Sequence, residues 1–268
     1  MEVREWAMRV FSGDCLEEKL FLPPGGLKGL TDHRPGEAVA WRTPSRPAHL
    51  EIAAKKDRKK WPHSRSLVQK DMRIRCLHGF ANHELMALEL MAWALLAFPL
   101  AEKSFRKGLA NILMEEQEHF QLYADHLETM GVKFGDIPVN DHFWRAAEVI
   151  TNPLDWICTM HLTFEQANLD HAPHFGRLFR EAGDQASADL MQRIFEDEIR
   201  HVRFGSRWLK EMQPGDESLF ETYRNHCTPG TPPARAKGPE FQEEARYAAG
   251  LDLDFVTSLK SLGSHRTL

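Results

Sequence analysis

Two Glu-x-x-His tetrads, Glu116–His119 and Glu198–His201, have the residue types and spacing of metal ligands. Residues i and i+3 of an α-helix lie on one face, so each tetrad directs a carboxylate and an imidazole to the same side. Iron and manganese ions accept this mixture of oxygen and nitrogen ligands. About one such tetrad is expected by chance in a chain this rich in Glu and His, so the assignment depends on the surrounding sequence.

The sequence around each tetrad repeats. Glu84, at the start of an apolar run, precedes the first tetrad, and Glu165 precedes the second at a separation that differs by one residue. If each glutamate and its tetrad lie on successive helices of a hairpin, the glutamate faces the tetrad. The repeat therefore predicts a duplicated metal half-site. The six predicted metal ligands are Glu84, Glu116, His119, Glu165, Glu198 and His201.

This ligand set predicts two metal ions. Two divalent ions carry four positive charges, which four carboxylates cancel, so the site can lie inside a low-dielectric core. Iron is the favoured metal, with manganese or a mixed Fe/Mn pair as alternatives. One Glu from each of two helices, with Glu-x-x-His from each of the other two, is the known ligand pattern of ferritin-like di-metal proteins.

Acidic residues beside the ligands are candidates to support the histidines. A metal-bound imidazole usually donates its second N–H to a carboxylate or a carbonyl. We expect Asp197 to support His119 and Glu115 to support His201, across a pseudo-twofold axis; the alternative is that both acids are ordinary surface residues. Arg200 either holds such a network together or is exposed.

Three further residues have a functional and a structural interpretation. Tyr123 lies four residues after His119, on the same helix face, and is a candidate for a redox or proton-transfer role. A packed tyrosine with a hydrogen-bonded hydroxyl is the favoured alternative. Glu89 and Asp170 each lie five residues after a ligand glutamate, which rotates them off the ligand face, and we expect them to pair with Arg or Lys.

Hydrophobic periodicity places the ligands on four long helices. Pro99 is expected to end or kink the first helix, Gly131 caps the second, and Asn152-Pro153 begins the third, in which Pro173 is expected to produce a kink. Period-two alternation with convincing turn chemistry is absent from the sequence, so the predicted class is all-α. The predicted helices cover residues 66–98, 101–130, 152–182 and 185–212.

The chain is expected to have three parts. A ferritin-like up-down-down-up four-helix bundle with a long crossover occupies residues 64–212. An N-terminal strap, residues 1–63, wraps the bundle. Residues 213–268 form an irregular C-terminal segment with short helices packed on the same domain; a Pro-rich stretch at 225–239 is expected to be irregular.

Composition narrows the function classes. The 268 residues are 42% hydrophobic and carry a net charge of −5, so the basic excess typical of nucleic-acid binding is missing. The basic run Lys55–Lys60 is interpreted as a solvated part of the strap. The four cysteines are scattered and include no CxxC pair, and the sequence shows neither a secretory signal nor a membrane span. These features predict a reduced, cytoplasmic protein.

Several segments resemble known families. Asp197-Glu198-Ile199-Arg200-His201 resembles the D-E-x-R-H element of oxygen-activating members of the ferritin-like superfamily. RPAHLEI, HGFANHELMALEL and PARAKGPEFQEEARYAAGL resemble a bacterial ferritin-like family known as domain of unknown function 455. The resemblance covers most of the chain and implies the fold and the metal site. The third-helix segment Phe164-Glu165-Gln166-Ala167 is a looser version of the pattern.

Three functions are compatible with this site. The favoured one is an O2-dependent di-iron oxidase or hydroxylase of a small organic substrate. The D-E-x-R-H element resembles that of oxygen-activating proteins, and a minimal storage bundle would not need the long terminal segments. Ferroxidase, iron-handling or peroxide-scavenging activity is the first alternative. A metal-stabilised binding module without turnover is the second. The expected partners are the substrate and O2; a homodimer is left open, a membrane is excluded, and nucleic acid is disfavoured.

Overall fold

The computed structural model describes residues 1–50, 52–54 and 61–263. Throughout these ranges the regular structure is helical, and extended pairing is confined to the isolated bridges Glu2–Thr31 and Ile52–Val139. The predicted all-α class is therefore confirmed for the described chain. The basic run Lys55–Lys60 lies outside the described residues.

The chain divides into two compact units, Met1–Glu148 and Val149–Leu268. The first unit contains α1 (Val3–Ser12), α2 (Leu16–Lys19), α3 (Lys70–Ala97), α4 (Lys103–Thr129) and α5 (His142–Ala147). The second contains α6 (Pro153–Trp156), a π-helical segment (Ile157–Glu165), α7 (Gln166–Glu181), α8 (Gln185–Met212), α9 (Leu219–His226), α10 (Glu243–Ala248) and α11 (Leu253–Ser261). The division falls within the predicted 64–212 bundle, so the grouping of its four helices remains a prediction.

In the first unit, α3 and α4 pack against each other and α1 packs on α3. The second half of α3 is apolar on all sides and is buried almost completely, with Leu85, Leu88 and Leu95 at or near zero exposure. Each such leucine contributes about 2 kcal/mol through removal of its surface from water. α3 ends at Ala97 because Pro99 disfavours helical backbone at the residue before it.

A buried ion cluster ties the N-terminal segment to α3. The Glu89 carboxylate accepts hydrogen bonds from Arg46 Nε and Nη2 at 3.1 and 2.8 Å, and Lys19 Nζ lies 3.2 Å from its Oε1. All three side chains are buried. A buried carboxylate is tolerated only when it is paired and hydrogen-bonded, and this one is both. The expected structural role of Glu89 is confirmed.

In the second unit, α6, the π-helical segment and α7 follow one another without a break, and α8 packs on both of the latter. Pro153 stands in the first turn of α6, where its missing N–H costs nothing, and Asn152 caps the helix by accepting from the Asp155 N–H at 2.9 Å. Pro173 lies inside α7, which continues through it.

Asp170 on α7 repeats the arrangement at Glu89. Its carboxylate accepts from Arg246 Nη1 and Nη2 at 2.7 and 2.9 Å, and from the backbone N–H groups of Gly238 and Gln242 at 2.8 Å each. The Arg246 and Asp170 side chains are fully buried. This pair fastens the segment after α9 to α7, and it confirms the expected pairing of Asp170 with an arginine.

Two elements of the second unit, among those that the structure describes, differ from what the sequence predicted for their residues. α9, Leu219–His226, forms because Ser218 caps it by accepting from the Glu221 N–H, and because Phe220 and Tyr223 are buried on one face. It extends into the 225–239 stretch that was expected to be irregular. The π-helical segment lies in the first half of the third predicted helix, where ordinary α-helix was expected.

Candidate metal half-sites

The first half-site lies within the first unit. α3 supplies Glu84, and α4 supplies Glu116 and His119 one turn apart; their side chains are 7%, 1% and 1% exposed. One ligand atom from each of the three residues lies within 4.8 Å of the others. His119 Nδ1 is 3.8 Å from Glu84 Oε2 and 3.8 Å from Glu116 Oε2.

These separations suit a shared ion better than direct hydrogen bonds, which need about 3 Å. Two ligand atoms that each lie about 2.1 Å from one first-row metal ion are about 3 to 4 Å apart. The donor set, two carboxylates and an imidazole in a dry setting, is also the chemistry that such an ion prefers. The first half-site therefore fits a metal ion.

The electrostatics of Glu84 point the same way. Burial raises the pKa of Glu84 well above its usual value, the neighbouring Glu116 carboxylate adds to that rise, and His119 partly offsets it. A buried carboxylate is costly unless a cation or several donors compensate it. A metal ion between Glu84, Glu116 and His119 would supply that compensation.

The second half-site lies within the second unit. Glu165 is the last residue of the π-helical segment, and α8 supplies Glu198 and His201. His201 Nδ1 and Glu165 Oε2 form a hydrogen bond of 3.1 Å, Glu198 Oε2 lies 3.4 Å from the same nitrogen, and all three side chains are at most 5% exposed. The second half-site thus presents the same buried Glu-Glu-His donor set as the first.

Asn168 is a member of the second half-site that the sequence analysis missed. Its Nδ2 donates to Glu198 Oε1 at 2.9 Å and so orients that carboxylate. The spacing could have identified it, because Asn168 follows Glu165 by three residues and therefore shares its helix face.

The acids next to the ligands have partners inside their own units. Asp197 is buried and accepts from Arg193 Nε at 2.7 Å, while Arg200 Nη2 lies 2.7 Å from its other oxygen. Glu115 is half-buried and accepts from Asn111 Nδ2 at 3.0 Å. Arg200 is exposed and pairs with Asp197, so its role in a network that supports the histidines remains a prediction. The support of His119 by Asp197 and of His201 by Glu115 remains a prediction.

Tyr123 lies one turn beyond His119 on α4 and is 1% exposed. Its ring packs on Phe80, with the ring centroids 5.9 Å apart. This is the packed environment that the structural interpretation expected. The redox or proton-transfer role of Tyr123 remains a prediction.

Comparison with known proteins places the chain in a family. The sequence profile of the family described as "Protein of unknown function (DUF455)" matches residues 12–257. The chain belongs to this family. The six half-site residues all lie inside the matched range.

An "Uncharacterized protein" of Haemophilus influenzae is 28% identical to the chain over 140 residues. That match covers 49% of each sequence, so the chain spans about half the length of this relative. No solved structure gives a significant match. Among the helices of the described residues, none is long and apolar enough to cross a membrane.

Proposed function

We propose that the chain is a ferritin-like di-iron carboxylate protein that uses O2 to oxidise or hydroxylate a small organic substrate. In this proposal the α3–α4 hairpin and the hairpin formed by the third and fourth predicted helices assemble as one four-helix bundle, and their half-sites face each other. The observation that carries the proposal is the duplication of a buried Glu-Glu-His cluster, once in each unit.

Charge and burial support two ions rather than one. Each half-site brings two carboxylates and one imidazole into a setting with almost no solvent exposure. One divalent ion per half-site neutralises its carboxylates, whereas a single ion would leave two buried negative charges uncompensated. Manganese or a mixed Fe/Mn pair satisfies the same charge balance.

The chain's own residues would bind and orient the ions and exclude water. His119 and His201 hold the ions through nitrogen, and Asn168 fixes one carboxylate oxygen of Glu198, leaving the other available to an ion. A bound ferrous pair supplies electrons for the reduction of O2. The apolar residues of α3 around Glu84 keep the surroundings dry, which strengthens every charge interaction in the site.

Metal content tests the ligand assignment. We expect the purified chain to bind two iron ions, and Glu116→Gln, which preserves side-chain volume, to lose at least one of them. Glu118→Gln is the matched control, because Glu118 lies on the same helix turn but is exposed. Elemental analysis of proteins that retain wild-type helical circular dichroism gives the answer. Unchanged iron content in Glu116→Gln and in His201→Ala would show that the ligand assignment is wrong.

Spectroscopy tests whether the two half-sites form one centre. Two ferric ions that share carboxylates couple magnetically, so the oxidised protein should be silent in electron paramagnetic resonance at two irons per chain. Signals of two isolated ferric ions would contradict a shared centre. Anaerobic ferrous protein should then consume O2 on mixing. Loading far beyond two irons per chain would instead favour iron storage, and no O2 consumption would favour the non-catalytic module.

A further inference from the structure

Glu165 is positioned by an unusual helix. It is the last residue of the nine-residue π-helical segment Ile157–Glu165, and all nine residues are buried. The N–H of Gln166, the next residue, still donates to the His161 carbonyl five positions back. π-helical stretches are rare, usually span a single turn, and concentrate at functional sites. A stretch of this length needs tertiary contacts that favour it over the α-helix.

Thr163 supplies one of those contacts. Its hydroxyl donates to the Cys158 carbonyl, also five residues back, at 2.8 Å. Thr163 and the Tyr223 hydroxyl share a hydrogen bond of 2.9 Å. Each hydroxyl has one proton, and the acceptor alternatives are the Cys158 carbonyl for Thr163 at 2.8 Å and the Pro233 carbonyl for Tyr223 at 3.5 Å, so the shorter pair of bonds has the tyrosine donating to Thr163. Tyr223 lies on α9 and is fully buried. The π-helical register is thus tied to a neighbouring helix through two hydroxyl groups.

Gly205 on α8 supplies a second contact. A Cβ atom at this position would lie 2.7 Å from the Cβ of His161, so α8 approaches the π-helical segment closer than any residue with a side chain permits. His161 precedes Glu165 by four residues, and Gly205 follows His201 by four, so each lies about one turn from a ligand. This close approach of the two elements is therefore next to the second half-site.

We propose that Thr163, held by Tyr223, is a positioning residue for the second half-site. By keeping the Cys158 carbonyl in the π-helical register, Thr163 sets the rotation of the helix at Glu165. A slip of one residue in an α-helix rotates every later side chain by about 100°. Such a slip would carry the Glu165 carboxylate away from His201 Nδ1, from which it now lies 3.1 Å. The inference rests on the proposed metal-binding function.

Thr163→Val removes the threonine hydroxyl at nearly constant side-chain volume. Tyr223→Phe leaves Thr163 in place and removes the tyrosine hydroxyl that is hydrogen-bonded to it. Loss of a residue that orients a metal ligand typically weakens metal binding by about 10- to 100-fold. We therefore expect both variants to bind one of two ferrous ions at least about tenfold more weakly, measured anaerobically against a chelator. Thr163→Ser should restore the affinity, because it restores the hydroxyl.

Thr222→Val is the matched control. Thr222 is another fully buried threonine of the second unit, and its hydroxyl donates to Glu217 rather than to the π-helical segment. Wild-type affinity in Thr163→Val, equal weakening in Thr222→Val, or failure of Thr163→Ser to restore binding would each overturn the positioning role while the metal site stands. A wild-type chain that binds no iron would overturn the proposed function itself, and the positioning role with it.

Discussion

Removing the positive charge of Arg246 should strongly destabilise the second unit. Arg246→Met keeps most of the aliphatic stem but leaves the buried Asp170 carboxylate with only the backbone N–H groups of Gly238 and Gln242 among the four donors described for it. Breaking a buried ion pair by removing one partner costs about 3–5 kcal/mol, because an uncompensated charge stays in the core. We expect the free energy of unfolding to fall by about that amount.

Urea denaturation followed by circular dichroism measures the change. Arg177→Met is the matched control, because Arg177 pairs with Glu181 and Glu240 at the surface, where such pairs contribute about 0–1 kcal/mol. The double variant Asp170→Asn/Arg246→Met leaves no buried charge unpaired and should recover part of the loss. A loss below about 1 kcal/mol in Arg246→Met, or a double variant whose loss equals the sum of the singles, would refute the reasoning.

Two further predictions concern packing and pH. Gly205→Ala should lower the free energy of unfolding by about 1–3 kcal/mol in chemical denaturation, because the added Cβ meets His161 at 2.7 Å. Gly176→Ala is the control: its Cβ would make contacts of 3.4 Å or more, so this variant should be neutral or stabilising. Equal effects of the two substitutions would contradict the close approach. Burial lowers the pKa of His78 to about 4, so the unfolded chain binds more protons below the ordinary value of 6.5 and stability is lost as pH falls. The free energy of unfolding should therefore be about 2 kcal/mol lower at pH 5 than at pH 7 because of His78. His78→Gln, which keeps an acceptor for the Gly135 N–H, should remove this pH dependence. If the free energy of unfolding depends on pH as strongly in the variant as in the wild type, His78 is excluded as the cause.

The local part of each half-site was predictable from the sequence. Glu116 and His119, like Glu198 and His201, share a helix face because of their spacing alone, and periodicity predicted the helices that carry them. The structure confirms that each pair lies buried against its upstream glutamate, Glu84 or Glu165, within one unit.

The partners of the buried acids were predictable only by type. The offset of Glu89 and Asp170 from the ligand face indicated pairing with Arg or Lys, but the sequence did not identify Arg46 and Arg246, which lie 43 and 76 residues away. Separations of that size depend on how the terminal segments cross the long helices. No local pattern encodes that path.

The sequence by itself therefore determined the helical class and which Glu and His side chains come together within each hairpin, because these follow from short-range spacing. Only the tertiary structure revealed the π-helical register at Glu165, the helix α9 that packs beside it and the hydrogen bond between Thr163 and Tyr223. The α and π registers use the same residues and the same kind of backbone hydrogen bond. Contacts from distant segments, such as the close approach of Gly205 to His161, select between them.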